Sequence, residues 1–400
     1  MRTRLICWLL LASWGAEILV AVSTPSPALL VLSKADHTLA IVDPATLKVL
    51  ARVPSGPDPH EVVASSDGKL AFISNYGGGA YNTISVVDLV RQKPLPSVDL
   101  GALRGPHGLA FVQGMVYFTA EANKVIGRYH PAAGKVDWVL GTGQNRTHMI
   151  WVSENLDRIY TSNVTSATIT IIERTLTRPG GLGHPPAPGG PPSREMEPQQ
   201  GVRPIGPRRA LMPDWIETVV QVGRGSEGFD VAPDGKELWV ANAQDGTVSI
   251  VDLAAKAVSE TLDANVMGAN RLKFTLDGKL AFVASLSTGE LTILETASHQ
   301  EIKRLKLGHG AAGILMQPDG SRAYVACSPD DNVAVVNLKS LEVIGRIEAG
   351  REPDGLAWAA QQWLWPDPGM ATAPSRVFPA EAGVHGVRSA RVDRLRGCCG

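Results

Sequence analysis

The sequence predicts an all-β protein built from seven copies of one four-stranded unit. The clearest copy runs from Ser226 to Leu262 and contains four short segments in period-two alternation, GFDVAP, ELWVAN, TVSIVDL and AVSETL, separated by turn residues. Asp-Gly turns at Asp234, Asp277 and Asp319 repeat this unit about every 42 residues. A single four-stranded meander cannot bury both of its faces, so the copies are expected to stack against one another.

The second and third strands of the unit can be identified in every copy. The second strands read LLVLS, AFISN, VYFTA, IYTSN, LWVAN, AFVAS and AYVAC, and the third strands read TLAIVDP, TISVVDL, KVIGRYH, TITIIER, TVSIVDL, ELTILET and NVAVVNL. Fourth strands such as KVLARVPSG and EVIGRIEAG end each unit. Six of the second strands carry an aromatic residue at their second position: Phe72, Tyr117, Tyr160, Trp239, Phe282 and Tyr324. An aromatic side chain that recurs once per unit predicts a core between neighbouring units.

The first strand of the unit also occurs seven times, as HEVVAS, HGLAFV, HMIWVS, EGFDVAP, NRLKFTL, AGILMQP and DGLAWA. The last copy, Asp354 to Ala359, has no following strands, whereas the first unit, which starts at Ala28, has no preceding strand. The two ends are therefore expected to complete one unit together, which leaves no large open edge. This count predicts a seven-bladed β-propeller of four-stranded antiparallel blades over residues 29–360.

These strings resemble the YVTN family of β-propeller repeats, in which a P-x-G, a P-D-G turn, a strand like LWVAN and a strand like TVSIVDL recur in that order. The resemblance extends from about Ala28 to Ala359, and lactonase-like and streptogramin-lyase-like propellers are similar at a greater distance. It implies a ring of seven WD-like repeats in an exported protein. It implies no single activity, because the fold carries binding modules, enzymes and electron-transfer subunits alike.

Residues 1–28 have the features of a secretory signal peptide. Two early arginines precede an apolar segment, Leu5 to Ala12, and the small residues of Ala21 to Ser23 offer a cleavage point. Export to the periplasm or the extracellular space is therefore expected. The alternative, an uncleaved anchor, would place Glu17 at bilayer depth, which is costly. No membrane span is expected in the mature chain.

Two segments lack the repeat. Residues 174–213, which include GGLGHPPAPGGPPSREMEPQQGV, interrupt the fourth unit between its third and fourth strands. Their composition predicts a Pro/Gly-rich surface insertion that cannot pack a core, and a partner-binding role is the alternative. Residues 361–400 lose both the alternation and the turn residues, and a disordered tail is expected there.

Composition and missing motifs narrow the possible functions. The formal net charge of -1 gives no overall electrostatic footprint for nucleic acid. The four cysteines include no C-x-x-C-H, which disfavours a haem-carrying redox subunit, and their spacing indicates neither a disulfide framework nor a thiolate metal site. The sequence also lacks G-x-S-x-G, H-E-x-x-H and a P-loop. A monomer is expected.

A binding or catalytic site is expected at the start of the first strands, because these strand ends meet at the mouth of the central channel of a propeller. Across the units this position holds His60, His107, His148, Glu227, Asn270, Ala312 and Asp354, which we call the axial column. Imidazoles, carboxylates and an amide that converge on one cavity are suited to bind a divalent metal or a polar ligand. The sequence leaves a purely structural role for the three histidines open.

Two further sets of residues border this position. Glu61 and Arg271 each follow an axial-column residue and are expected to add opposite charges at the rim. Asn75, Asn163 and Asn242 end three of the second strands on the same face. Asn is common in turns, so a turn role is favoured over ligand binding for these three residues.

The sequence thus predicts an exported binding or scaffold module for a small polar ligand or a partner's loop, with His60, His107, His148, Glu227, Asn270 and Asp354 as ligand-binding residues. The alternative is a metal-assisted lactonase-like or lyase-like enzyme, in which a divalent metal would be held by His60, His107, His148 and Glu227. No cofactor is certain, and no catalytic residue is assigned. The two hypotheses differ in whether these four side chains converge on one metal position.

Overall fold

A computed structural model describes residues 24–177 and 212–360. They form seven antiparallel four-stranded sheets, each a blade of a β-propeller. The innermost strands of successive blades contact one another around a closed ring. Within the described residues the only helical segments are four single 3-10 turns, and no helix there is long and apolar enough to cross a membrane.

The strands follow one another in regular order. Blade 1 holds β1 (Ala28–Ser33), β2 (Thr38–Asp43) and β3 (Lys48–Pro54). Blade 2 holds β4 (Pro59–Ala64), β5 (Leu70–Asn75), β6 (Thr83–Asp88) and β7 (Lys93–Asp99), and blade 3 holds β8 (Pro106–Val112), β9 (Met115–Ala120), β10 (Val125–His130) and β11 (Lys135–Gly141). Blade 4 holds β12 (Thr147–Val152), β13 (Arg158–Asn163), β14 (Thr168–Thr177) and β15 (Met212–Gln221), and blade 5 holds β16 (Ser226–Val231), β17 (Glu237–Asn242), β18 (Thr247–Asp252) and β19 (Ala257–Leu262). Blade 6 holds β20 (Ala269–Phe274), β21 (Leu280–Ser285), β22 (Glu290–Glu295) and β23 (Glu301–Lys306), and blade 7 holds β24 (Ile314–Met316), β25 (Arg322–Cys327), β26 (Asn332–Asn337) and β27 (Glu342–Ile347). The final strand, β28 (Pro353–Ala359), completes blade 1. The 3-10 turns span Gly77–Gly79, Glu121–Asn123, Pro131–Ala133 and Ser328–Asp330.

The predicted ring closure is confirmed. Strand β28 pairs antiparallel with β1, with Ala359 opposite Ala28 and Trp358 opposite Leu29. A side-chain contact reinforces the closure, because Arg351 donates from its backbone N and from Nε to the carboxylate of Asp36 at 2.7 and 2.6 Å. The first and last strands of the ring therefore leave no unpaired edge between them.

The aromatic stripe forms the predicted core between blades. All six aromatic side chains are at most 3% exposed. Trp239 of blade 5 packs in one cluster with Leu272 and Phe274 of blade 6, and Tyr324 of blade 7 packs with Leu29 of blade 1. Each blade thus buries its faces against its neighbours, and buried aromatic side chains contribute much of that apolar area.

The strands of blade 4 extend further than the sequence predicts. Strand β14 continues through Arg174 to Thr177, and β15 begins at Met212, so both ends of the predicted insertion are paired strand. Thr175 pairs with Asp214, so the ladder continues beyond the predicted strand ends. Strand β14 is rich in β-branched residues, which favour extended pairing. Residues 178–211, most of the predicted signal peptide and the predicted tail at 361–400 lie outside the described residues.

Six of the seven inner strands have an irregular register where they meet the channel. In blade 2 Pro59 pairs with Asn75 and Val62 with Ile73, so the ladder is bulged at His60 and Glu61. The inner strands of blades 1, 3, 4, 5 and 6 carry similar irregularities at the axial column. In blade 7 the inner strand is shorter and begins only at Ile314. Bulges redirect side chains and often occur beside functional sites.

Glycine after the axial-column residue allows the inner strands to pack closely. A Cβ on Gly108 would lie 2.6 Å from the backbone oxygen of His148, and one on Gly355 would lie 2.4 Å from that of His60. Gly228 and Gly313 approach the axial-column residue of the next blade in the same way. Backbone contact at this point holds the column residues of adjacent blades side by side.

Candidate functional site

The three histidines of the axial column lie together, as the sequence predicts. The ring centroids of His60 and His107 are 5.1 Å apart, and those of His107 and His148 are 3.7 Å apart. Tyr76, from the loop after β5, packs against both His60 and His107 at 4.9 and 5.0 Å. His107 and His148 are almost fully buried, so these side chains do not line a wet channel wall.

His148 lies between two carboxylates. Its Nδ1 contacts Glu121 Oε1 of blade 3, and its Nε2 lies 2.8 Å from Glu227 Oε2 of blade 5. Burial alone would lower the pKa of His148, but the charge of Glu227 and the hydrogen bond to Glu121 outweigh it and raise the pKa to about 9. His148 is therefore an imidazolium at neutral pH.

The two carboxylates have further partners. The Tyr76 hydroxyl donates a hydrogen bond to Glu121 Oε2 at 2.6 Å. Arg146 lies near both acids, with Nε 3.7 Å from Glu121 Oε2 and Nη1 3.5 Å from Glu227 Oε1. Burial would raise the pKa of Glu227, but the charges of His148 and Arg146 lower it to about 2. Glu227 is thus a fixed negative charge at neutral pH.

Two further ion pairs lie at the channel, one across it and one within blade 1. Arg271 of blade 6 pairs with Glu61 of blade 2, two blades that are not neighbours, so this pair crosses the axis. Arg271 is buried and Glu61 is half-buried, whereas the sequence predicts both residues at the rim. In blade 1, Lys34 Nζ lies 3.1 Å from Asp354 Oδ2. The ion pair of Arg271 and Glu61 therefore occupies the channel between blades 2 and 6.

His107 differs from His148 although it occupies the same repeat position. Its Nδ1 is buried and has no hydrogen-bond partner among the described residues. Burial, together with the positive charge of His148, holds the pKa of His107 well below its usual value. His107 is therefore neutral and stacks on a charged imidazole.

The asparagines that end the second strands point into their own blades. Asn242 Nδ2 donates to Thr247 Oγ1 and to Ser249 Oγ, both at 2.9 Å, and Asn75 makes the equivalent pair of bonds in blade 2. Asn163 is also fully buried and bonded to hydroxyls of its third strand. These side chains thus tie the second strand to the third, and Asn242 also begins a turn, because its carbonyl accepts the N–H groups of Asp245 and Gly246 at 3.2 and 2.8 Å.

The residue after each second strand is the one that sequence reasoning missed. This position holds Lys34, Tyr76 and Glu121 in blades 1, 2 and 3, and all three belong to the charged cluster. Successive side chains of a strand alternate in direction, so the residue after a blade-facing one can turn to the axis. Reading the repeat one position further along would have found them.

The remaining axial-column positions contribute less. Asp354 is buried and paired with Lys34. Asn270 Oδ1 accepts a hydrogen bond from Arg271 Nη1 at 3.3 Å, so it supports that arginine. Ala312 is buried and apolar, which leaves blade 7 without a polar side chain at this position of the ring.

The four predicted metal ligands do not fit a shared metal as they are arranged. Both ring nitrogens of His148 face carboxylates, so neither directs a lone pair toward His60 or His107. A coordinating histidine must be neutral, whereas His148 is charged. Among residues 24–177 and 212–360, no group of three or more His, Cys, Asp or Glu side chains is placed to hold a metal ion.

Comparison with known proteins identifies the fold. The chain is similar to a protein from Bacteroides uniformis ATCC 8492 described as "a putative 6-phosphogluconolactonase", with a TM-score of 0.63, 14% identity, and coverage of 83% of this chain and 99% of that one. A functionally unknown protein from Desulfotomaculum acetoxidans DSM 771 gives a TM-score of 0.60 at 13% identity, with coverage of 83% and 99%. Hydrazine synthase of Kuenenia stuttgartiensis gives 0.55 at 18% identity, with coverage of 75% and 89%. Identities this low show the propeller fold alone.

No family model matches the chain, and no curated protein matches it.

Proposed function

We propose that this chain is an exported propeller of the YVTN type that binds a small polar ligand, or a loop of a partner protein, at the mouth of its central channel. The proposal rests on the cluster formed by Tyr76, Glu121, Arg146, His148 and Glu227. These side chains come from loops and strand starts of four successive blades, which meet at one face. Binding residues are commonly carried in this way by loops on a rigid scaffold.

One observation favours binding over proton-transfer chemistry. A general acid or base works best when its pKa lies near the pH at which the enzyme operates. The pKa of His148 is raised to about 9 and that of Glu227 is lowered to about 2, so both hold one charge state throughout the neutral range. A fixed and preorganised set of charges lowers the cost of binding a polar ligand.

His60 offers a test of this proposal. Its side chain is 17% exposed, packs on Tyr76 and His107, and makes a 3.2 Å hydrogen bond from Nδ1 to the Asp58 carbonyl. Binding to the purified full chain would be measured by isothermal titration with acetate, lactate, succinate, gluconate, inorganic phosphate, glucose and ethanolamine. A compound that binds should bind less tightly to His60→Ala.

The matched control is His299→Ala, because His299 also contacts a carboxylate, Glu260 at 2.7 Å, but lies in the turn between β22 and β23, away from the cluster. Equal weakening by both substitutions, or no binding of any compound, would contradict a site at the channel mouth.

The alternative is a metal-assisted lactonase-like or lyase-like enzyme. It is suggested by the axial histidines and by the description of the Bacteroides uniformis protein. Metal analysis of the purified protein before and after chelation separates the two hypotheses. A stoichiometric divalent metal that His148→Ala removes would favour the enzyme, and its absence would favour the binding module.

A further inference from the structure

Arg146 has unused hydrogen-bonding capacity at the channel mouth. Its distances of 3.7 and 3.5 Å to Glu121 and Glu227 are longer than hydrogen bonds, and the Tyr76 side chain is a further hydrogen-bonding neighbour of its guanidinium. Arg271, by contrast, donates to Asn270 and pairs with Glu61. A guanidinium carries five N–H donors in a rigid planar fork, so a contact with Tyr76 leaves most of the donors of Arg146 available.

Exposure distinguishes Arg146 from the other charges of the cluster. Its side chain is 40% exposed and that of Lys34 is 22% exposed, whereas each carboxylate of the cluster is at most 14% exposed. Arg146 and Lys34 thus lie outermost, and the acids lie beneath them together with His148 and Arg271. An anion that approaches from solvent would meet Arg146 first, and the buried acids would prevent it from moving deeper.

The charge balance of the cluster disfavours a doubly charged anion. Among the described residues, the cluster holds four cations, Lys34, Arg146, His148 and Arg271, and four carboxylates, Glu61, Glu121, Glu227 and Asp354. A dianionic phosphate would add two negative charges beside Glu121 and Glu227. A carboxylate adds one, and its two oxygens match the guanidinium fork in a bidentate pair.

We propose that the ligand at the channel mouth carries a carboxylate group and that the fork of Arg146 binds it. This inference rests on the proposed function and adds to it the chemical class of the ligand, a small carboxylic acid. Arg146 is held in place by the longer-range attraction of Glu121 and Glu227 and reaches toward solvent. The carboxylate would complete its hydrogen bonds.

The test uses Arg146→Lys and Arg146→Ala in the full chain, with the same seven compounds. At least one of acetate, lactate, succinate and gluconate should bind. Arg146→Lys keeps the charge but removes the fork, so Kd should rise about tenfold, and Arg146→Ala should raise it about tenfold to a hundredfold. The methyl ester of the acid that binds should lose affinity to a similar degree.

The matched control is Arg91→Ala, because Arg91 is also paired with an acid, Asp88, but lies in the turn between β6 and β7 on the opposite face. It should leave Kd unchanged. Melting curves of each variant check that the fold is retained.

The outcomes separate this inference from the proposed function. If phosphate, glucose or ethanolamine binds, and His60→Ala weakens that binding while Arg146→Lys does not, the carboxylate inference is wrong and the binding site stands. If a carboxylate binds equally to wild type and to Arg146→Ala, Arg146 is not the residue that binds it and the inference is wrong. If no compound of any class binds, both proposals fail.

Discussion

Replacing His148 by Gln tests the charged cluster most directly. In the folded chain the imidazolium faces Glu121 and Glu227, and all three side chains are largely buried. Gln has a similar reach but no charge, so it can donate to one carboxylate and leaves the other acid without its counter-charge. Removing one partner of a buried ion pair costs about 3–5 kcal/mol, because the remaining charge stays desolvated.

The raised pKa of His148 gives a second measure of how much its charge stabilises the folded state. A rise from 6.5 to about 9 on folding corresponds to about 3 kcal/mol of stability. Since the pKa is raised in the folded state, this contribution is complete below pH 6.5 and is lost as the pH rises through about 9. The lowered pKa of Glu227 reflects the same contact with His148, so its free energy is not added to that of His148. Its own contribution is lost as the pH falls from 4.5 toward about 2.

The assay is urea unfolding of wild type and His148→Gln between pH 5 and pH 9.5. At pH 6 the variant should be less stable by about 3 kcal/mol, which is about 1 M in the urea midpoint if m is about 3 kcal/mol/M for a chain of this size. The difference should shrink steadily above pH 6.5 and be nearly absent above pH 9. His299→Gln is the control and should show no such trend. A difference that stays constant from pH 6 to pH 9.5 would refute the charged state assigned to His148.

Two further predictions concern the scaffold. A chain that ends at Gly350 lacks β28 and should aggregate or unfold, whereas one that ends at Ala360 should keep the melting temperature of the full chain. The oligomeric state is measured by gel filtration and the melting by calorimetry. A 1–350 fragment that is monomeric and melts cooperatively would contradict ring closure. Gly108→Ala should lower stability by about 1–3 kcal/mol, because its Cβ would meet the backbone of His148 at 2.6 Å. Gly141→Ala, where a Cβ meets nothing within 4 Å, is the matched control and should have little effect in thermal melts.

The blades could be predicted because their signals are local and repeated. An Asp-Gly turn is specified by two neighbouring residues: Asp234 Oδ1 accepts the Lys236 N–H at 3.0 Å, and Gly235 supplies a φ of 71°. The same turn recurs at Asp277 and Asp319. Seven aligned copies also fix which strand is second or third, so even the pairing of the chain ends follows from the count.

The site could be predicted only where it follows the repeat. The axial column was found because its members share one position, although the residue types differ. Arg146 lies two positions before His148, and Glu121 lies one position after a second strand, so a reading of the axial column alone misses both residues. Their role arises from contacts between blades, and no property of a single unit encodes those contacts.

The histidines show why a repeat position does not determine chemistry. His107 lies between His60 and His148, so its neighbours offer no negative charge, and burial keeps it neutral. His148 occupies the same position one blade further on, but Glu121 and Glu227 flank it, and it is charged. In a closed ring each column residue is defined by the residues on both adjacent blades. The histidines in register are therefore not three equivalent ligands for one metal. His148 is charged, and His107, in contact with it, is neutral.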